Sequence, residues 1–239
     1  MTPILLRGVI LFAALTFLLA CSSSPGSSDE YLFRASNSIH DRWMHMPLRG
    51  ETKYQIAIFG DQIAIRAVGQ NSASGLIRRV SVDTELCPEL EWTWNVAQLQ
   101  GGANLYEKDA EDVGASIFLL FGDPGLMSNP EPVQTLRYVW TTDHVAPETI
   151  IDNPYMDGVV KSLVVRTGEA EKGTWYVQRR NLVDDFVAAF GHRPEDKVRA
   201  IAIFTDNDQT EDPVEAYYGW ARAICIVDGV SVEEELGWE

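Results

Sequence analysis

Apolar and polar residues alternate in short runs along most of this chain, which is the period of a strand with one buried face. Tyr54 to Phe59 and Gln62 to Ala67 are two such runs, and Gly60-Asp61 between them predicts a hairpin. Leu76 to Val82, Leu90 to Val96, Ala115 to Phe121 and Thr135 to Trp140 continue the series. Ser162 to Arg166, Thr174 to Arg179, Arg199 to Phe204 and Ala221 to Val227 complete it. Pro and Gly punctuate the gaps, as in Gly122-Asp123-Pro124-Gly125 and Asn153-Pro154. Only Val183 to Phe190 predicts a helix: Asp184-Asp185 stands in its first turn, where acids complement the helix dipole, and Gly191 follows as a stop. Many short strands with one short helix predict an all-β sandwich rather than a parallel α/β sheet, and residues 31–239 show no second linker, so one domain is expected.

The chain's longest apolar run, interrupted by Thr16 alone, lies outside this series. Val9 to Ala20 follows a lone positive charge at Arg7. Its length suits the apolar region of a secretory signal and falls short of the ~20 residues that span a bilayer. It ends Leu18-Leu19-Ala20-Cys21, which resembles the lipobox of a bacterial lipoprotein. That resemblance implies that residues 1–20 are removed as a signal peptide and that Cys21 carries the lipid. Ser22, where an Asp would favour the inner membrane, implies an outer-membrane address in the cell envelope. Residues 21–30, CSSSPGSSDE, bury almost nothing apolar and are expected to act as a flexible tether.

Composition narrows the partners. A hydrophobic share of 46% fits a folded domain and argues against disorder. With 35 acidic and 19 basic residues the net charge is −16, which repels phosphate backbones and excludes nucleic acid as an expected partner. Adsorption to an anionic membrane by anything but lipid is disfavoured for the same reason. Of the three cysteines, Cys87 and Cys225 remain after Cys21. They could form a disulfide in an oxidising compartment or be two separate buried thiols, and spacing does not decide between these.

Familiar catalytic signatures are missing. There is no Gly-x-Ser-x-Gly elbow, His-Glu-x-x-His, P-loop or dinucleotide glycine fingerprint. The four histidines, His40, His45, His144 and His192, show no metal-binding spacing. Trp92 and Trp94 lie two apart on a strand and face the same way. With Trp140 and Trp175 they could form a platform for a sugar ring, or simply fill the core. Two acidic clusters also stand out. Asp109, Glu111 and Asp112 precede the strand at Ala115. Asp206-Asn207-Asp208-Gln209-Thr210 follows another and resembles the start of a calcium loop, with Asp206 and Asp208 as candidate ligands. Glu211 stands where such a loop needs glycine and Tyr217 where it needs the closing glutamate, and turn formation by Asp and Asn is the alternative. No other cofactor is expected.

An ordered series of segments resembles one family. It runs through Glu91-Trp92-Thr93-Trp94-Asn95-Val96, the acidic pair before Ala115 to Phe121, Leu136-Arg137-Tyr138-Val139-Trp140 and Gly173-Thr174-Trp175. It continues through Arg180-Asn181-Leu182, Asp184-Asp185-Phe186, Phe190-Gly191, Ala200 to Ile203, Thr205 to Asp208 and Ala216-Tyr217-Tyr218-Gly219. The series is similar to family 3047 of bacterial domains of unknown function, over roughly residues 43–226. The resemblance implies a jelly-roll sandwich of the galactose-binding type, a fold common among carbohydrate-binding modules, and no established activity. The family pattern has two aspartates and then an arginine in the next strand. Glu111-Asp112 and Ser116 stand there instead, so an arginine partner for the acids is expected to be lost. The expected function is a non-catalytic, membrane-anchored binding domain, with carbohydrate as the candidate ligand and Trp92, Trp94, Trp140, Glu111, Asp112, Asp184 and Asp185 as candidate contacts. The alternatives are a hydrolase or lyase using acids such as Asp112 and Asp185, or a scaffold of an envelope complex.

Overall fold

The computed structural model describes residues 31–35, 43–125, 131–169, 174–227 and 230–233. The signal-like segment, Cys21 and the tether lie outside the described residues. The strands, in chain order, are β1 (Tyr31–Arg34), β2 (Met44–Arg49), β3 (Lys53–Phe59), β4 (Gln62–Val68), β5 (Ala73–Val82), β6 (Glu89–Gln98) and β7 (Ala115–Phe121). Then come β8 (Thr135–Thr141), β9 (Ile150–Asp152), β10 (Val160–Thr167), β11 (Tyr176–Asn181), helix α1 (Leu182–Phe190), β12 (Val198–Asp206), β13 (Glu215–Val227) and β14 (Val230–Glu233). No helix among the described residues is long and apolar enough to cross a membrane.

Two sheets face each other in a jelly-roll sandwich. The first runs β11-β6-β13-β4-β3, with β1 and β14 also paired to β13; the second runs β2-β5-β12-β7-β8-β10-β9. All the strands expected from alternation are present, and β3 and β4 form the expected hairpin, with Gly60 at φ +66 in its turn. Thr174 and Trp175 precede β11 instead of opening it, and β13 begins at Glu215, well before Ala221. β2 carried no clear signal because it is a mostly exposed edge strand with Pro47 in it. One pairing departs from a purely antiparallel sandwich. β10 runs parallel to β8, because the chain passes through β9 before returning beside β8 in the same direction.

The core fills the space between the sheets. Leu90, Trp92, Trp94 and Val96 point inward from β6, and Leu136, Tyr138 and Trp140 point inward from β8. Trp92 stacks on Tyr138 with ring centroids 4.9 Å apart, and Trp94 meets Trp140 at 5.8 Å. Helix α1 starts where Asn181 Oδ1 accepts the N–H groups of Val183 and Asp184. It stops where Gly191 adopts φ +81, a left-handed conformation that costs glycine little. Phe186 of α1 joins the core beside Phe121.

Cys87, in the turn before β6, is bridged to Cys225 of β13 across a separation of 138 residues. Both sulfurs belong to the core, so the bridge closes a long loop inside a packed region. Cys87→Ala with Cys225→Ala is expected to lower unfolding free energy by about 4–5 kcal/mol, the chain-entropy figure for a loop of this size. Urea unfolding of the oxidised protein and the double variant would measure the difference; equal midpoints would show that the bridge contributes nothing.

Candidate functional site

Residues that alternate with the core-facing ones line the outer face of the second sheet. Ala73 and Ile77 of β5, Phe118 and Leu120 of β7, and Ala202 and Phe204 of β12 make an apolar floor there. A Cβ at Gly75 would lie 2.6 Å from the Phe204 ring, so glycine is what lets that ring cover β5. β2 forms one wall through Met46 to Arg49, and the segment around Val133 forms part of another. Together they enclose a groove of about 630 Å³.

One end of the groove is polar. Arg137 is the outward neighbour of Tyr138 on β8 and is nearly fully buried. Its Nε donates to Ser162 Oγ at 2.8 Å, its Nη2 pairs with Glu111 Oε1, and its guanidinium lies 5.5 Å from the centroid of Phe118. Asn153 Nδ2 donates to the same Glu111 oxygen at 3.1 Å. Asn153 Oδ1 accepts the N–H groups of Tyr155 and Met156, a local turn that sets Tyr155 at the rim. The Tyr155 ring is exposed, while its hydroxyl donates to the Lys108 carbonyl and accepts from Gln209 Nε2 at 3.2 Å.

Three carboxylates complete this end. One oxygen each from Asp112, Asp206 and Asp208 lies within 4.8 Å of the others, and all three residues are buried. Asp112 holds the loop after β12, accepting from the Gln209 and Thr210 N–H groups and from Thr210 Oγ1. Asp206 Oδ1 accepts the Val113 N–H at 2.8 Å. Burial, followed by the negative charges of Glu111 and Asp112, pushes the Asp206 carboxyl well above the usual carboxylate range. Burial and the charge of Asp112 push Asp208 upward too, against the opposing pull of Arg49. Glu211 adopts φ +58, so the loop makes the left-handed turn that the glycine of a calcium loop would make, using a residue that bears strain there.

Several expectations need correction. Trp92, Trp94 and Trp140 are fully buried between the sheets and form no exposed platform. They share a strand face with Leu90, Val96 and Leu136, so the apolar side of each strand is the side that faces the core. Asp112 and Asp185 are not brought together. Asp185 pairs with Arg180 and accepts from Tyr138, whose ring lies on the inner side of β8, while the groove lies on the outer side. Asp184 is exposed on α1, and neither of these acids lines the groove. Glu111 does line it. Its arginine partner has not been lost, because Arg137 supplies it from β8. Asp206 and Asp208 do come together, joined by Asp112. Asn153 and Tyr155 carry no site signal in the sequence pattern; Arg137 carries one, as a charged residue in the middle of an otherwise apolar and aromatic strand.

Removing one partner of a buried ion pair strands the other charge, at a cost of about 3–5 kcal/mol. Arg137→Met is therefore expected to destabilise by about that amount, and adding Glu111→Gln should recover part of the loss. Urea denaturation of both single variants and the double variant would test this; additive losses would mean that the pair is not coupled.

Among solved structures, the chain resembles a family 11 carbohydrate-binding module from Clostridium thermocellum in complex with a beta-1,3-1,4-mixed-linked tetrasaccharide. The identity is 8% and the TM-score 0.41, covering 87% of this chain and 97% of that one. It also resembles the xyloglucanase domain of NopAA, a type three effector from Sinorhizobium fredii, in complex with cellobiose, at 9% identity and TM-score 0.45, covering 83% and 100%. A third similar structure is the glycoside hydrolase domain of Endo-D from Streptococcus pneumoniae R6, at 7% identity and TM-score 0.35; the match takes in 75% of this chain and spans only 21% of that one. Likenesses this distant carry no argument about function. No curated protein is significantly similar to the chain. Residues 41–221 match DUF3047, a family described as a protein of unknown function, and with most of its length inside that match the chain belongs to this family.

Proposed function

We propose that this protein is a lipid-anchored binding domain of the cell envelope that takes a carbohydrate in the groove on its second sheet. The observation that carries the proposal is the groove's division into an apolar floor and a hydrogen-bonding end, with the exposed Tyr155 ring at the rim. A sugar ring has the matching division, with C–H faces that lie on apolar or aromatic surface and hydroxyls that bond to fixed polar groups. Glu111, Arg137 and Asn153 are held by one another and by Ser162, so that end is arranged before any ligand arrives. The anchoring half of the proposal rests on the segment ending in Cys21 and on the tether that follows. The Cys87–Cys225 bridge supports the same address, since disulfides persist outside the reducing cytosol.

Calorimetric titration against soluble polysaccharide fragments is expected to find saturable binding. Tyr155→Ala should weaken it by about 1 kcal/mol, the scale of an aromatic contact, whereas Val177→Ala on the other sheet should leave it unchanged. A full glycan panel without binding would sink the carbohydrate assignment. Cys21→Ser is expected to abolish incorporation of radiolabelled palmitate and to release the protein from the membrane fraction; continued membrane retention would rule out lipid as the anchor.

A further inference from the structure

Asp208 is 6% exposed, and its two oxygens are treated differently. Oδ2 accepts from Arg49 at 3.3 Å and from Gln209 Nε2 at 3.0 Å. Oδ1 is buried and has no hydrogen-bond partner among the described residues. The neighbouring Gln209 repeats the pattern: its Nε2 donates to Asp208 and Tyr155, and its buried Oε1 has no partner. A buried acceptor without a donor is costly, and these two belong to the Asp112, Asp206 and Asp208 group and to the Gln209 amide bonded to it. Arg137, which is paired with Glu111, and Arg49, which is 66% exposed, bring positive charge to this end, and Lys108 stands over the Tyr155 ring at the rim. The group therefore holds buried acceptor oxygens that no donor among the described residues reaches.

We infer that Asp112, Asp206 and Asp208, with the amide oxygen of Gln209, form a binding site for a single divalent cation of the calcium type. Oxygen-only ligands of mixed carboxylate and amide character suit a hard cation, and calcium accepts irregular arrangements that magnesium does not. Asp112 already ties the loop of Gln209 and Thr210 to its own position, so the candidate ligands come from two segments held in register before any ion binds. Asp206, Asp208 and Gln209 also line the groove, which places the cation at its polar end. The site does not depend on what else the groove takes.

The test uses the full chain, stripped with EDTA and exchanged into metal-free buffer. Calcium chloride titrated by calorimetry is expected to show saturable binding of one ion per chain and to raise the Tm, with magnesium chloride clearly weaker. Asp208→Asn should weaken calcium binding about tenfold or more, while Asp184→Asn on the exposed face of α1 should leave it unchanged. Should Asp208→Asn fail to fold, as judged by circular dichroism, Gln209→Leu at its half-buried position takes its place and should weaken binding too. Absence of saturable calcium binding to the unaltered chain overturns the site, as does full-strength binding to a folded Asp208→Asn, or to Gln209→Leu where that variant decides. Because the probe is the ion alone, this outcome and that of the glycan titration can fail separately.

Discussion

Trp92 on Tyr138 and Trp94 against Trp140 are the contacts across which the two sheets meet. Aromatic side chains bury more area than any others, and these four sit at consecutive inward positions on β6 and β8. Their size sets the spacing of the layers locally, and the smaller core residues fill in around them. Everything on the outer face of the second sheet inherits its position from this packing, because each outward residue of β8 is the neighbour of an inward one.

That alternation makes β8 a strand with two duties. All its residues are buried, on both faces. Toward the core it is wholly apolar and aromatic; on its other face Thr135 and Arg137 line the groove, and Val139 packs beyond it with Leu105, Val113 and Val164. A guanidinium in that place has lost its water and must be paired, and Glu111, Ser162 and the face of Phe118 supply the replacement. The polar end of the groove is thus built around a charge that cannot move without leaving a partner buried. Rigidity of this kind favours recognition, since little ordering remains to be done when a ligand binds.

Alternation in the sequence was enough to find most strands and the hairpin at Gly60, and Asp184-Asp185 with Gly191 was enough to find the helix, because each depends on local geometry; the Asn181 cap emerged only in the structure. Edge strands such as β2 escaped because an exposed, proline-containing segment has no buried face to create a pattern. The site was harder to read. That Trp92 and Trp94 share a face follows from their spacing, but which face is buried follows only from their companions Leu90 and Val96. Asp206 and Asp208 were visible as a cluster. Asp112 joining them was not, since the contact spans nearly a hundred residues and depends on β7 lying beside β12. The pairing of Glu111 with Arg137 is equally non-local: a strand-to-strand relation replaces the arginine expected along the same strand.

The arrangement of the first sheet bears on how the chain can be made. β13 lies between β6 and β4 and also pairs with β1 and β14, so three earlier strands rely on one that is made after them. Until residues 215–227 are available, β6 and β4 have nothing between them, and Cys87 has no Cys225 to meet. Closing the first sheet therefore waits for residues 215–227, and pairing strands this distant in sequence is slow compared with forming a local hairpin. Local pairings such as the β3–β4 hairpin can form early in a polypeptide wired this way, but its first sheet stays split into separate halves until β13 joins them.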